Sequence, residues 1–170
     1  RAVRLMLLAE AEGLMGAGRL EESLAAAERL RAAAELYGEE DLLATALFIV
    51  GMDLHHMGRP VASERRLTAT VDLGMQERLA GARTATGYSV VPAGLGYSAL
   101  NRWFLGYPDK AVARSAEAIG RAVESGDRFG QVLATVTGAI LLFLLRDGAG
   151  YAERCEQGRR VSAQFADFPF

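Results

Sequence analysis

Apolar residues recur at intervals of three and four positions along most of the chain, and no stretch of useful length alternates between apolar and polar residues. This spacing is typical of amphipathic α-helices that bury one face against a core. It predicts eight helices, at residues 2–16, 20–37, 40–57, 60–75, 92–105, 108–125, 129–146 and 149–166. The predicted fold class is therefore all-α, with the helices paired as four antiparallel hairpins.

A recurring corner joins the two helices of each hairpin. Its clearest copy runs from Trp103 to Ala111, where an apolar helix end is followed by Gly106 and then by Pro108. Proline suits the first position of a helix, because the N–H that it lacks would have no partner within the helix there. Similar corners occur earlier in the chain, at Gly18 and Gly58, so the chain is predicted to be a stack of similar hairpins.

The corners also give the period of the stack. Gly18 and Gly58 lie 40 residues apart, and the same shift carries Pro108 onto Gly148, whereas 48 residues separate Gly58 from Gly106. An insertion of eight residues must therefore lie between the second and third hairpins. We divide the single domain into repeats at about 1–38, 39–76, 92–127 and 128–170, with an insertion loop at 77–91 that is either a surface insertion or a lid or partner-contact loop.

Small residues occupy one position in each first helix and one position in most second helices. They are Ala11, Gly51, Ala99 and Ala139 in the first helices and Ser23, Ser63 and Ala111 in the second, where Tyr151 departs from the pattern. This arrangement resembles tetratricopeptide repeats (TPR), which implies a right-handed solenoid whose first helices line a concave groove. The period is longer than the TPR length of about 34 residues, so HEAT-like hairpins stay open as an alternative.

A narrower resemblance is carried by the stretch from Leu105 to Ala111 and by the closing residues 167–170. Both resemble the C-terminal repeat region of bacterial multidomain proteins in which a nucleotide cyclase domain or a DNA-binding domain precedes an ATPase module. The resemblance implies a non-catalytic module of a larger signalling or transcription-regulatory protein. Because the chain begins without Met, we expect it to be a fragment of such a protein.

Composition narrows the classes of partner and compartment. The net charge of -2 provides no positive field for phosphates, so direct nucleic-acid binding is not expected. The longest apolar run, residues 132–145, is shorter than a bilayer span, and no membrane partner is expected. Cys155 is the only cysteine, which favours a cytoplasmic protein, and its register with Ser115 predicts a buried packing thiol.

If the TPR register holds, the exposed positions of the first helices form columns across the stack. The predicted groove residues are Glu12, Met15, Met52, His55, His56, Leu100, Trp103 and Phe104. Such a groove suits an amphipathic helix or an extended peptide. The alternative is that an aromatic stripe at helical spacing belongs to the core, and this interpretation is favoured for Trp103 and more strongly for Phe143.

No catalytic, cofactor or metal site is predicted. His55 and His56 are adjacent and would point about 100° apart on a helix, whereas helical metal ligands usually lie three or four positions apart. No glycine-rich phosphate loop or acid–base pair is present, so the chain is not expected to be an enzyme. The expected partner is a protein or peptide, including a neighbouring domain of the same chain. The alternative function is a structural spacer or a self-association domain that forms a homodimer and transmits regulation to an adjoining ATPase or cyclase module.

Overall fold

The computed structural model describes residues 2–76 and 89–163, and every regular element in these ranges is a helix. The eight helices are α1 (Ala2–Gly16), α2 (Leu20–Tyr37), α3 (Glu40–His56), α4 (Pro60–Gly74), α5 (Val90–Phe104), α6 (Pro108–Glu124), α7 (Arg128–Leu144) and α8 (Gly148–Ala163). The predicted all-α class is confirmed. The bounds of α1 to α7 agree with the predicted ones to within two residues, although α5 begins two residues before its predicted start at Pro92.

The corner between α5 and α6 shows how the sequence ends one helix and begins the next. Gly106 has a φ of 85°, in the left-handed region that glycine enters without steric cost. The N–H groups of Gly106 and Tyr107 donate to the carbonyls of Trp103 and Arg102, which would otherwise lack partners at the helix end. Arg146 occupies the equivalent position of the last hairpin with a φ of 60°, the one described non-glycine residue in this region.

The helices form two interleaved rows. Among the described residues, the odd-numbered helices contact one another in the order α1, α3, α5, α7, and each of α2, α4 and α6 packs between the two odd-numbered helices on either side of it in the chain. Helix α8 packs mainly on α7. Each hairpin therefore contacts its immediate neighbours, which is the arrangement of a helical repeat stack. The right-handed course of the solenoid and the TPR assignment stay predictions.

The small residues of the repeats lie where the two helices of a hairpin come closest. A Cβ added at Gly51 would approach Cδ2 of Leu67 to 2.7 Å, so a larger residue would displace the buried Leu67 side chain of α4. The Oγ atom of Ser63 donates to the carbonyl of Gly51 at 2.6 Å, and that of Ser23 lies 3.0 Å from the carbonyl of Ala11. The serines of the second helices thus tie each hairpin together through its backbone.

Asp127 connects the start of α5, directly after the insertion, with the start of α7. Its Oδ1 atom accepts from the backbone N–H of Gly130 at 3.0 Å and caps α7, while its Oδ2 atom accepts from the N–H of Ser89 at 2.5 Å. The start of α5 is therefore fixed to the start of α7. Most of the predicted insertion loop at 77–91 lies outside the described residues.

No helix in residues 2–76 and 89–163 combines the length and apolar character that crossing a bilayer requires.

Candidate functional site

The predicted groove residues fall into three classes of burial. Met52 and Leu100 are 4% and 3% exposed and belong to the core, so they are not available to contact a partner, contrary to the prediction. They are covered because the following odd-numbered helix packs on that face of the one before it. Glu12, Met15, His55 and Trp103 are half-buried, and His56 and Phe104 are exposed.

Four of the predicted residues come together with Tyr97 at the C-terminal ends of α3 and α5. The ring of His55 lies 5.2 Å from that of Tyr97 and 6.0 Å from that of Phe104, measured between centroids. His56 lies 5.5 Å from Tyr97, and Trp103 packs edge-on against Phe104 at 5.2 Å. We call these five residues the histidine–aromatic patch. Glu12 and Met15 lie on α1 and are not part of it.

The two large aromatic residues of the patch have different roles. Trp103 packs against a small buried cluster that contains Leu100, Ala111 and Leu141, so one side of its ring belongs to the core. Phe104 is 55% exposed. Trp103 therefore belongs partly to the core, whereas Phe104 lies at the surface.

A chain of buried hydrogen bonds connects the patch to the core between α3, α4 and α5. The Nδ2 atom of Asn101 donates to Oγ of Ser63 at 2.7 Å, and Ser63 donates in turn to the carbonyl of Gly51. The amide oxygen, Oδ1 of Asn101, lies 2.7 Å from Nδ1 of His55 and must accept a hydrogen bond from it. Because Asn101 and Ser63 are fully buried, this chain fixes the orientation of the His55 ring.

The same chain determines the protonation of His55. Its Nδ1 atom carries the proton, which leaves Nε2 as a hydrogen-bond acceptor in the neutral ring. Burial is the main reason that the pKa of His55 lies below its ordinary value of 6.5, and the hydrogen bond to Asn101 opposes this shift. The ring is therefore neutral at pH 7, and it supplies an acceptor beside the exposed apolar edge of Phe104.

The chain matches no protein-family model and no curated protein sequence.

The hydrogen-bond chain has a counterpart one repeat earlier. Ser23 corresponds to Ser63, and Asp53 corresponds to Asn101 after the eight-residue insertion is allowed for. The Oδ2 atom of Asp53 lies 2.7 Å from Oγ of Ser23, and Asp53 is fully buried. Its Oδ1 atom has no hydrogen-bond partner among the described residues. Burial raises the pKa of Asp53 to about 6, although the hydrogen bond from Ser23 opposes this.

Two residues of the last hairpin are exposed where the sequence favours burial. Phe143 is 67% exposed, and Cys155, predicted to be a buried packing thiol, is also exposed. Cys155 corresponds to Ser115, which is buried because α7 packs over that face of α6. No described helix follows α8 to cover the corresponding face of the last hairpin.

The two adjacent histidines do not belong to a larger set of metal-ligating groups. Their ring centroids are 5.3 Å apart, and within 2–76 and 89–163 no three His, Cys, Asp or Glu residues come together in a way that could hold a metal ion.

Sequence reasoning missed Tyr97, Asp53 and Asn101. The signal for the last two was present, because the 40-residue shift aligns Ser23 with Ser63, and the 48-residue shift across the insertion aligns Asp53 with Asn101. Two polar residues that can pair, placed at equivalent positions of successive repeats, indicate a contact between repeats. Tyr97 gave no such signal, since its equivalent in α3 is Ile49.

Proposed function

We propose that this chain is a non-catalytic repeat module that binds a protein or peptide partner at the histidine–aromatic patch. The observation that carries the proposal is that the exposed Phe104 lies beside the half-buried Trp103 and His55. Hydrogen bonds to buried residues hold the His55 ring in place. Aromatic side chains that are partly held by a core lose little conformational entropy on binding, and they often dominate binding energy.

The chemistry of the patch defines the kind of partner. Phe104 and the outer side of Trp103 offer a surface for an apolar side chain, and the neutral His55 ring offers Nε2 as an acceptor. A peptide or helix with an apolar anchor next to a hydrogen-bond donor fits both features. On the strength of the sequence resemblance, we also propose that the partner, or a neighbouring domain of the same chain, belongs to a signalling or transcription-regulatory system.

The test uses peptides selected from a random display library on the immobilised wild-type protein. We expect the Phe104→Ala variant to bind the selected peptides at least about tenfold more weakly in calorimetry, as is usual for an aromatic anchor. The Phe104 side chain is mostly exposed, so its removal should leave the melting temperature nearly unchanged. Trp103→Ala is a poorer probe because it also removes core contacts.

Tyr107→Ala is the matched control, since Tyr107 is a similarly exposed aromatic residue in the corner outside the patch. Its affinity for the selected peptides should stay within about twofold of wild type. If Phe104→Ala and Tyr107→Ala bind the peptides as tightly as wild type does, or if the wild-type protein enriches no peptide, the patch is not a recognition site.

A further inference from the structure

Two apolar faces of the stack, one on α1 and one on α7 and α8, are not covered by any described helix. At the far end lies the trailing face, the exposed side of α7 and α8, with Val136, Ile140, Phe143 and Tyr151 all at least 41% exposed. It borders a cleft of about 540 Å³ lined by Phe143, Leu144, Arg146, Asp147, Gly148 and Tyr151. None of the residues of α8 is fully buried. Each of the seven earlier helices has at least two such residues.

The repeat register shows what covers this face elsewhere in the molecule. Ile140 corresponds to Leu100 in α5 and to Met52 in α3, which are both buried. Val136 corresponds in the same way to the buried residues Gly96 and Phe48. In each earlier case the first helix of the next hairpin packs on the face in question. The trailing face thus has the form of an interface that normally receives a first helix.

The exposed side of α1 has the complementary form. We call it the leading face, and it carries Leu5, Met6, Ala9 and Gly13, which are all exposed. The equivalent residues of α3, the helix that packs on the hairpin before it, are Thr45, Ala46, Ile49 and Asp53, and all four are fully buried. Met6 is 72% exposed, although its equivalents Ala46 in α3 and Gly94 in α5 are buried.

Side-chain size gives independent support for joining the two faces. At each joint within the stack, the small position of a second helix meets one fixed position of the next first helix. Ser23 meets Asp53, Asn101 meets Ser63, and Ala111 shares a buried cluster with Leu141. At the open ends the second-helix position is Tyr151 and the first-helix position is Gly13. The largest side chain of the one series would thus lie opposite a residue without a side chain.

We propose that the trailing face binds the leading face of a second copy of this chain, with Gly13 of that copy placed against Tyr151. The contact continues the packing that joins the hairpins within one molecule. It is heterologous, because different surfaces of the two copies meet, so each added copy exposes a new trailing face or leading face. Association is therefore open-ended, and the mean length of the assemblies grows with protein concentration.

The first test blocks one face at a time. Ile140→Glu places a charge on the trailing face, and Met6→Glu places one on the leading face, both at positions where the side chain is exposed in the single molecule. Wild type should form species larger than a dimer in sedimentation velocity, whereas each variant alone should be monomeric. An equimolar mixture of the two variants should form a dimer and nothing larger, because each molecule keeps one compatible face.

Val112→Glu is the matched control, since Val112 is about as exposed as Ile140 but lies on α6 within the stack. It should associate as wild type does. If Met6→Glu alone still dimerises, the trailing faces pair symmetrically and the proposal is wrong. A wild-type protein that stays monomeric at its highest soluble concentration overturns it as well, because a different segment or partner must then cover the trailing face.

The second test addresses the contact between Gly13 and Tyr151. A Cβ at Gly13 has no neighbour within 4 Å, so Gly13→Leu is compatible with the single molecule and adds apolar surface to it. We expect this variant to weaken association at least about tenfold by its clash with Tyr151, and we expect Tyr151→Ala in the same chain to restore it. If Gly13→Leu instead strengthens association, the contact is unspecific apolar adhesion and the proposed register is wrong.

Discussion

Replacing Asp53 with asparagine is expected to stabilise the protein at neutral pH. Ser23 has one hydroxyl proton and two acceptors in reach, the carbonyl of Ala11 at 3.0 Å and Oδ2 of Asp53 at 2.7 Å. An ionised Asp53 supplies no second proton, whereas a protonated Asp53 donates to Ser23, which then donates to Ala11. Asn101 donates to Ser63 in this way one repeat later. An asparagine at position 53 would reproduce that arrangement at every pH.

The magnitude follows from the pKa of Asp53. Burial raises it from its ordinary value of 3.8 to about 6. Since one pKa unit corresponds to about 1.4 kcal/mol, ionising this carboxyl group in the folded protein costs up to about 3 kcal/mol more than it does in the unfolded chain. That is a large fraction of the 5–15 kcal/mol that is roughly the stability of a typical domain.

The sign of the pH dependence follows from the direction of the shift. Between about pH 4 and pH 6 the folded protein binds a proton at Asp53 that the unfolded chain has released, so the contribution of this group to the free energy of unfolding falls as the pH rises. Asp53→Asn removes the titration. The variant should match wild type at pH 4 and exceed it by up to about 3 kcal/mol at pH 7.5.

The assay is urea denaturation of wild type and Asp53→Asn at pH 4 and pH 7.5, followed by circular dichroism at 222 nm, a wavelength that reports helix content. All other titrating groups are common to both proteins, so the difference between their free energies of unfolding isolates Asp53. Asp72→Asn is the control because Asp72 is an exposed carboxylate on α4, and we expect it to change stability by less than about 0.5 kcal/mol at either pH. A difference between Asp53→Asn and wild type that is the same at both pH values, or a variant that is less stable than wild type at pH 7.5, would refute the reasoning.

Three further predictions concern single residues. Gly96→Ala should destabilise the fold by about 1–3 kcal/mol, because its Cβ would lie 2.5 Å from Oγ1 of Thr137. Gly120→Ala, at an exposed position of α6 where a Cβ meets no neighbour, should stabilise the fold by about 0.5–1 kcal/mol. Denaturation midpoints compare the two variants, and equal effects would contradict the packing argument. Arg146→Gly should stabilise by about 1 kcal/mol because it relieves a positive φ at a helix end, and an unchanged or lower melting temperature would contradict this. In an NMR titration, the imidazole of His55 should titrate below its ordinary pKa of 6.5, and a midpoint at or above that value would exclude the buried neutral ring.

Much of the local structure was predictable because it depends on residues that are close in sequence. Pro60 and Pro108 begin α4 and α6 as the sequence predicts, and Gly106 takes the left-handed conformation that ends α5. Helix bounds depend on such signals within a few residues of the boundary. The start of α5 at Val90 rather than Pro92 is consistent with this, since a proline in the first turn loses no helical hydrogen bond.

The candidate site was predictable only in part. The columns of the first helices placed His55, His56, Trp103 and Phe104 on one side of the stack, and the structure brings these four together. The columns did not predict that Leu100 is buried and Phe104 is exposed, because both are apolar residues at helical spacing. Their burial differs because the neighbouring odd-numbered helices cover one position and leave the other open.

By itself, the sequence determined the all-α class, the positions of the helices and the repeat register, in which a shift of 40 residues aligns Ser23 with Ser63 and a shift of 48 aligns Asp53 with Asn101. Only the tertiary structure decided which apolar positions are buried. The positions that face the next repeat are covered by the following hairpin, so equivalent residues differ in burial when that neighbour differs. Leu100 is buried and Ile140 is exposed for this reason, although both occupy one place in the repeat.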